Sequence, residues 1–349
     1  MSKKSTVARW LHRVGVFRLL DLVTGPNRLT VLAYHRIVDP ADVGDYYLPN
    51  ISASPAMFAR QIEFVARRFN VVGLDQILAY IKHGQPLLPR PLLITFDDGY
   101  LDNYTQAFPI LKHHGLPAVI FLMTDGMDHQ ARPWWDACAY YFHHTSLKRA
   151  TLPVLGEQVF ITAQQRIEAR EEFMRRLKRL PEAEKQATMA ALPEALQVPP
   201  PEDPQVFMSW EQVRELVANG IACQPHTATH PILTRISPEE VRNELRTARD
   251  KIVAETAQPV EAFAFPNGTP DDYDETSLQI LHELGFQAAF TLSPGPVRNR
   301  LVQQYPLQIP RVFLGYKDTF ELFVAKVMGV PALMDRPAYL PLPVASNDV

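Results

Sequence analysis

A parallel α/β fold is indicated by the stretch Pro91-Leu-Leu-Ile-Thr-Phe-Asp-Asp-Gly-Tyr100. Its apolar residues 92–94 form a short run typical of a strand that is buried on both faces of a parallel sheet. Asp97 and Asp98 end the run, and Gly99 permits a sharp turn. Because α/β proteins bind ligands at the carboxyl ends of their strands, these two carboxylates are candidates for a functional site. A turn with solvated acids is the alternative.

Apolar strands and amphipathic helices alternate outward from this stretch. The pattern predicts strands at 29–34, 70–74, 91–96, 118–123, 221–224, 260–265, 287–292 and 308–313. It predicts helices at 54–69, 75–82, 103–114, 210–219, 238–256 and 275–284. Strand–helix repeats at this spacing indicate an α/β fold with a parallel sheet, and seven or eight repeats indicate a closed barrel.

The alternation breaks between residues 132 and 205. We interpret 132–205 as a helical insertion or lid on the barrel, with a charged helix at 163–185 and a linker at 198–204. The cations of this segment favour either a solvated helix face or a site for an anionic glycan or lipid headgroup. They are Arg166, Arg170, Arg175, Arg176, Lys178 and Arg179.

Composition narrows the class of protein. The chain has 349 residues, of which 46% are hydrophobic and 21% charged, as is ordinary for a folded soluble protein. A net charge of -3 argues against a nucleic-acid partner. Cys138 and Cys223 are the two cysteines, so we expect no disulfide framework and a reducing compartment. No apolar run is long enough to span a membrane, which predicts a cytoplasmic location.

The chain ends lie outside the predicted barrel, which occupies 29–315. Residues 1–28 are predicted to contain an amphipathic helix, and 316–349 a C-terminal helix and tail. The N-terminus begins basic but lacks a signal-peptide cleavage site. Its apolar residues recur at helical spacing, which suits peripheral contact of residues 1–23 with the inner face of a membrane, or packing on the barrel. They are Val7, Trp10, Leu11, Val14, Phe17 and Leu20.

Two further motifs carry chemistry. In His226-Thr-Ala-Thr-His230 a helical turn or a tight loop aims both imidazoles at one point. Two imidazoles and one carboxylate make a metal-ligand set that leaves positions open for water and substrate. In Ala264-Phe-Pro-Asn-Gly268 the glycine allows close approach of the backbone, although an ordinary turn is the alternative.

These motifs, with 95–100, resemble in type and order those of the polysaccharide deacetylases, the NodB-like carbohydrate esterases. The resemblance covers about residues 30–315 and implies an irregular (β/α)7 barrel. It implies a divalent metal ion, most often Zn²⁺, held by Asp98, His226 and His230. It also implies that Asp97 is the base that activates water and that the backbone N–H of Asn267 helps to hold the oxyanion.

Substrate contacts are predicted from the same motifs and from the start of the insertion. Two adjacent tryptophans can stack on sugar rings, although packing of one of them in the core is the alternative. The predicted substrate-binding residues are Tyr100, Trp134, Trp135, Phe265 and Pro266.

The chain departs from the common family pattern in two places. The late Leu-x-His motif is absent, and the similar stretch ending at His282 lies inside a predicted helix. We therefore predict His35 as the general acid, as in the circularly permuted branch that includes the poly-N-acetylglucosamine deacetylases; a structural histidine is the alternative. An imidazole near its unperturbed pKa can donate and recover a proton. Ala264 replaces the arginine of the third motif, and we predict that Arg311 orients Asp97 instead, a surface arginine being the alternative.

The resemblance implies a metal-dependent hydrolase that removes N-acetyl groups from N-acetylhexosamine residues of an exopolysaccharide or its lipid-linked precursor. Its partner is then an N-acetylated glycan. Hydrolysis of a small-molecule amide or imide, a non-catalytic carbohydrate-binding barrel and a membrane-attached assembly factor are the other hypotheses.

Overall fold

A computed structural model describes residues 26–39, 47–201 and 205–330. The strands are β1 (Arg28–Tyr34), β2 (Arg36–Ile37), β3 (Ile51–Ala53), β4 (Asn70–Val71), β5 (Pro91–Phe96), β6 (Ala118–Leu122), β7 (Arg149–Leu152), β8 (Gly156–Val159), β9 (Ile221–Pro225), β10 (Ala262–Ala264), β11 (Ala288–Pro294), β12 (Val297–Arg298) and β13 (Ile309–Phe313).

The α-helices surround the main sheet or belong to the insertion. They are α1 (Pro55–Arg68), α2 (Leu74–His83), α3 (Phe108–His114), α4 (Thr124–His129), α5 (Trp134–His144), α6 (Ala163–Leu177), α7 (Glu182–Leu196), α8 (Trp210–Ala218), α9 (Pro238–Thr256), α10 (Glu275–Glu283), α11 (Asn299–Gln304) and α12 (Phe320–Val327). None of the helices within these described ranges has the length and apolarity needed to cross a bilayer.

Seven parallel strands form the barrel wall in the order β10-β11-β13-β1-β5-β6-β9. The central strand β5 is buried along its whole length because successive side chains point to opposite, equally covered faces. Leu93 packs with Val31, Val119 and Phe290 from other strands inside the barrel. Its neighbours on β5 pack outward against the helices. This two-sided burial explains the continuous apolar run.

The barrel is nearly closed, and side chains bridge its seam between β9 and β10. Gln224 Oε1 accepts hydrogen bonds from the backbone N–H groups of Glu261 (3.0 Å) and Ala262 (2.9 Å). Its Nε2 donates to the carbonyl of Pro259 at 3.1 Å. The buried amide thus replaces ladder hydrogen bonds where the two strands diverge. The predicted irregular (β/α)7 barrel of the NodB type is confirmed.

The elements of the insertion differ from those predicted. The single helix expected at 163–185 is wrong: α6 and α7 are separate helices, and Pro181 precedes α7. Proline lacks the N–H that a continuous helix would need there. The antiparallel hairpin β7–β8 and helix α5 were not predicted. Residues 202–204 of the predicted linker lie outside the described ranges.

Other boundaries shift by a few residues. The predicted helix at 103–114 opens with a π-helical segment, Asn103–Ala107, before α3. Pro109 near the start of α3 cannot donate to an earlier carbonyl, which explains the altered register. The predicted strand at 70–74 shortens to β4. The predicted amphipathic helix within 1–28 falls largely on residues 1–25, outside the described ranges.

Candidate active site

The carboxyl ends of the barrel strands open into a cavity of about 540 Å³. His35 follows β1, Asp97 and Asp98 follow β5, and His226 follows β9. Because β1 runs parallel to β5, it delivers His35 to the same face of the barrel. The insertion covers one side of this cavity through α5 and α6, and contributes Trp134, Trp135, Met174 and Lys178 to its wall.

Asp98, His226 and His230 converge as a buried ligand set. Asp98 Oδ1 lies 3.6 Å from Nε2 of each histidine. His226 Nδ1 donates to the carbonyl of Ala264 at 2.7 Å, so Nε2 of the neutral ring carries the lone pair that faces Asp98. Burial lowers the pKa of both histidines. The Nε2 lone pair of His226 therefore faces Asp98 Oδ1, which has no hydrogen-bond partner among the described residues. A divalent cation fits this donor set because it accepts electron pairs from nitrogen and oxygen donors.

The electrostatic environment of Asp98 also favours a bound cation. Burial, and then the neighbouring charges of Asp97 and Asp136, raise the pKa of Asp98 well above its usual range. A cation beside the carboxylate offsets that cost. Asp98 adopts φ 72°, and Gly99 follows at φ 82°, where a Cβ would lie 2.8 Å from Leu122 Cδ2. Only glycine therefore completes this turn without displacing a neighbour.

The two histidines lie on a tight loop rather than on a helical turn. Thr227 (φ 67°) and His230 (φ 63°) both adopt the left-handed conformation. Thr227 Oγ1 accepts from the N–H of His230 at 2.9 Å. Glu244 of α9 accepts hydrogen bonds from the N–H groups of Ala228 (2.8 Å) and Thr229 (2.9 Å). These contacts hold a strained backbone that aims both rings at one point, as is common at functional sites.

Asp97 is held by Arg311 of β13 in a fully buried ion pair. Arg311 Nη1 and Nη2 donate to the two oxygens of Asp97 at 2.7 and 2.8 Å. Burial alone would raise the pKa of Asp97, but Arg311, followed by His226 and His35, lowers it to about 2. The carboxylate is therefore ionised and fixed in orientation. The alternative that Arg311 is a surface arginine is wrong, since this side chain has no exposed area.

His35 lies beside Asp97, with Nε2 at 3.9 Å from Asp97 Oδ2. Its ring also contacts Phe313, the centroids being 5.7 Å apart. The pKa of His35 falls to about 4, first because of burial, with Asp97 acting in the opposite direction. The expectation of a near-unperturbed imidazole is therefore wrong, and the ring is neutral at pH 7. His282 is exposed on α10 instead.

Asn267 lines the opposite side of the cavity in a left-handed conformation (φ 58°). Its N–H has no hydrogen-bond acceptor among the described residues, and it is therefore available to a ligand oxygen. Gly268 follows at φ 70°, and a Cβ there would lie 2.9 Å from the backbone N of Leu292. The glycine thus permits the backbone of this loop to pack directly on β11.

The predicted substrate-binding residues fall into two groups. Trp134 and Trp135 line the cavity, and the Trp135 ring also packs on His230, with centroids 4.7 Å apart. Tyr100, Phe265 and Pro266 are buried and do not line it. The Tyr100 hydroxyl accepts a hydrogen bond from Trp135 Nε1 at 2.7 Å, so this tyrosine helps to orient the tryptophan ring.

Several supporting residues were not identified from the sequence. Glu244 is one of many charged residues on α9, and Gln224 sits inside an apolar strand. Asp136 is fully buried, where it accepts from the backbone N–H of Tyr47 at 2.8 Å and from Arg36 at 3.3 Å. A polar residue within an apolar stretch was the available clue for Gln224. The partners of Asp136 are 89 and 100 positions away, and those of Glu244 are 15 and 16 positions away, so short motifs do not reveal either set.

A family model described as polysaccharide deacetylase matches residues 85–289. The chain belongs to this family. The matched segment runs from just before β5 into β11 and contains both aspartates, both ligand-set histidines and Asn267. His35 and Arg311 lie outside it.

Individual relatives agree with this membership. The Bacillus subtilis protein YxkH is 22% identical over 204 residues, which are 58% of this chain and 45% of that protein. The poly-beta-1,6-N-acetyl-D-glucosamine N-deacetylase of Escherichia coli is 32% identical over 93 residues, 27% of this chain and 13% of that protein. The chain thus spans less than half the length of these curated relatives. The Streptococcus pyogenes deacetylase PplD shares the fold, with a TM-score of 0.57, 18% identity, and coverage of 86% of this chain and 99% of PplD.

Proposed function

We propose that the protein is a metal-dependent hydrolase that removes N-acetyl groups from N-acetylhexosamine residues of a glycan. The observation that carries the proposal is the buried set of Asp98, His226 and His230, in which Asp98 Oδ1 has no hydrogen-bond partner among the described residues. Asp97 and His35 lie beside this set in the same cavity, as an amide hydrolase requires. Membership of the polysaccharide deacetylase family supports the same chemistry.

The ligand set would hold one divalent cation, for which zinc suits the two imidazoles and one carboxylate. When bound, the cation supplies Lewis acidity and lowers the pKa of a nearby water molecule. Asp97 acts as the base that accepts the proton of the attacking water. Arg311 keeps the Asp97 carboxylate ionised and fixes its orientation, because both carboxylate oxygens accept a guanidinium N–H.

Attack on the amide places negative charge on the carbonyl oxygen. The free N–H of Asn267 stabilises that oxyanion. His35 protonates the departing nitrogen, since an amide anion is too basic to leave. Because its pKa of about 4 makes the ring neutral at pH 7, His35 receives its proton during the reaction. Asp97, 3.9 Å away, is the nearest source of that proton.

The substrate is a glycan that enters beside the insertion. Trp134 presents a partly exposed ring at the cavity wall, a surface suited to the apolar face of a sugar. The named activity of the Escherichia coli relative supports N-acetylglucosamine as the acetylated sugar. We infer that the glycan is an exopolysaccharide or its lipid-linked precursor, and that residues 132–205 act as a lid. Contact of residues 1–23 with the inner face of a membrane stays a prediction, as does a cytoplasmic location.

Metal analysis and acetate release test this proposal together. Purified full-length protein should contain one divalent metal ion per chain and should release acetate from N-acetylglucosamine oligomers. His226→Ala should lose the metal and the activity. Asp97→Asn should keep the metal and lose activity by roughly 10²–10⁴-fold, the scale of a positioned base.

The exposed His282 offers a matched control. His282→Ala removes an imidazole outside the cavity and should change neither metal content nor turnover. Full metal occupancy in His226→Ala would overturn the ligand assignment. A metal-loaded protein that binds glycans without releasing acetate would instead indicate a carbohydrate-binding barrel, and release of ammonia or acid from small amides alone would indicate the small-molecule alternative.

A further inference from the structure

Lys178 brings a cation from the insertion into the cavity. It follows directly after α6, whose residues 163–177 lie outside the barrel, and its partly buried side chain lines the cavity. Lys178 Nζ donates to the side-chain oxygen of Asn267 at 2.8 Å. The ammonium therefore lies beside the residue whose N–H faces the reacting carbonyl in the proposed mechanism.

No carboxylate among the described residues forms an ion pair with Lys178. Its one hydrogen-bond partner there is the neutral amide of Asn267. Asp272 also lines the cavity, but its Oδ2 accepts from the N–H and the hydroxyl of Thr269. By contrast Lys185, in the same insertion, pairs with Glu182 at 2.7 Å.

A partly desolvated ammonium that forms no ion pair is energetically unfavourable. Burial lowers the pKa of Lys178, while Asp272 and Glu171 act in the opposite direction. An ammonium has three N–H groups, and Asn267 takes one of them. The remaining donor capacity and the charge are available to a group that enters the cavity.

We propose that Lys178 selects glycans that carry an anionic group on, or next to, the acetylated sugar. This inference rests on the proposed deacetylase function. Asn267 connects the ammonium to the reaction centre, so the anion belongs to the sugar in the cavity or to its immediate neighbour. The recognised chemistry is a carboxylate or phosphate oxygen, which comes from a uronic acid or from a sugar phosphate.

Calorimetric binding to the metal-loaded full chain tests the selection without requiring turnover. Three probes separate the sources of charge: neutral tetra-N-acetylchitotetraose, a hyaluronan tetrasaccharide that carries carboxylates, and N-acetylglucosamine 1-phosphate. The protein should bind at least one anionic probe more tightly than the neutral one. Lys178→Met should weaken that binding about 10-fold, the scale of one charge-assisted hydrogen bond, and change neutral binding less than about 2-fold.

Two further variants control for folding and for general charge. Lys178→Arg keeps the cation and should retain the preference for the anionic probe. Arg175→Met makes the same change of charge on the exposed face of α6 and should leave all three affinities unchanged. If Lys178→Met unfolds, Lys178→Gln makes the same comparison with a polar side chain.

Each outcome bears on the inference. Equal weakening of neutral and anionic binding in Lys178→Met would mean that Lys178 only holds Asn267, and would overturn the inference. Tightest binding of the neutral probe by the wild-type protein would overturn it as well. The carboxylate and phosphate arms identify the source of the charge. Acetate release is measured separately: anion-selective binding without acetate would overturn the deacetylase proposal while leaving the anion site standing.

Discussion

Replacing Arg311 with methionine removes the cation that keeps Asp97 ionised inside the barrel. Arg311 is fully buried and donates to both Asp97 oxygens, to the carbonyl of Thr291 (3.2 Å) and to Thr95 Oγ1 (3.2 Å). Methionine has a similar length and no charge. The variant therefore leaves a buried carboxylate without its partner rather than a large cavity.

The structure sets the size of the effect. The pKa of Asp97 is about 2 in the folded protein against a model-compound value of 3.8, which corresponds to about 2 kcal/mol of stability at neutral pH. Breaking one side of a buried pair costs about 3–5 kcal/mol, because the remaining charge is desolvated and unpaired. We expect Arg311→Met to lose about 3–5 kcal/mol of unfolding free energy at pH 7.

The pH dependence has opposite signs in the two proteins. In the wild type the lowered pKa of Asp97 stabilises the folded protein at pH values above 3.8. This contribution is lost as the pH falls toward about 2. In Arg311→Met the desolvation of Asp97 is no longer opposed by arginine, so its pKa should rise above 3.8. The folded variant then binds a proton more tightly than the unfolded chain. Its deficit relative to the wild type should shrink between pH 7 and pH 5.

Urea unfolding in a chelator-containing buffer measures these free energies without a contribution from metal. The double variant Arg311→Met/Asp97→Asn removes the orphaned charge and should be more stable than Arg311→Met at pH 7. A loss below about 1 kcal/mol, the scale of an exposed ion pair, would contradict the expected cost of a buried unpaired carboxylate. A double variant that is less stable than the single one would refute it as well.

Three other predictions concern the general acid, the barrel seam and the N-terminus. His35→Ala should keep its fold and metal but lose far more turnover on N-acetyl substrates than on an activated aryl acetate, whose leaving group needs no proton; equal losses would indicate a structural role. Gln224→Leu strands the N–H groups of Glu261 and Ala262 and should cost about 2–4 kcal/mol in urea unfolding, whereas a loss below about 0.5 kcal/mol would contradict the seam assignment. Deleting residues 1–23 should reduce sedimentation with anionic liposomes and spare hydrolysis of a soluble substrate; full-length protein that ignores such liposomes at low salt would exclude membrane contact.

Sequence patterns were informative where the determining interactions are local or periodic. The helix predicted at 238–256 coincides with α9, because Ser237 caps it, Pro238 opens it and apolar residues recur along one face. The helix predicted at 163–185 failed because charged side chains continue past Pro181, which precedes the start of α7 and disfavours a continuous helix. Charge patterns do not register such a break.

Local sequence patterns predicted the kind of chemistry and its position along the chain. The apolar run 92–94 requires a buried strand, and the acids that follow it must then lie at the open end of a parallel sheet. The histidine pair at 226 and 230 was predicted to bind metal because residue types and short spacings can be read directly from the sequence.

How those groups are supported and charged follows from the packed barrel. Arg311 meets Asp97 across 214 positions, Gln224 closes the seam, and Lys178 reaches Asn267 from the insertion. The low pKa of His35 likewise follows from its burial. Such contacts form between segments that are distant in the chain, so neither composition nor periodicity records them. Desolvation is a property of the packed barrel and is absent from any isolated stretch of the sequence.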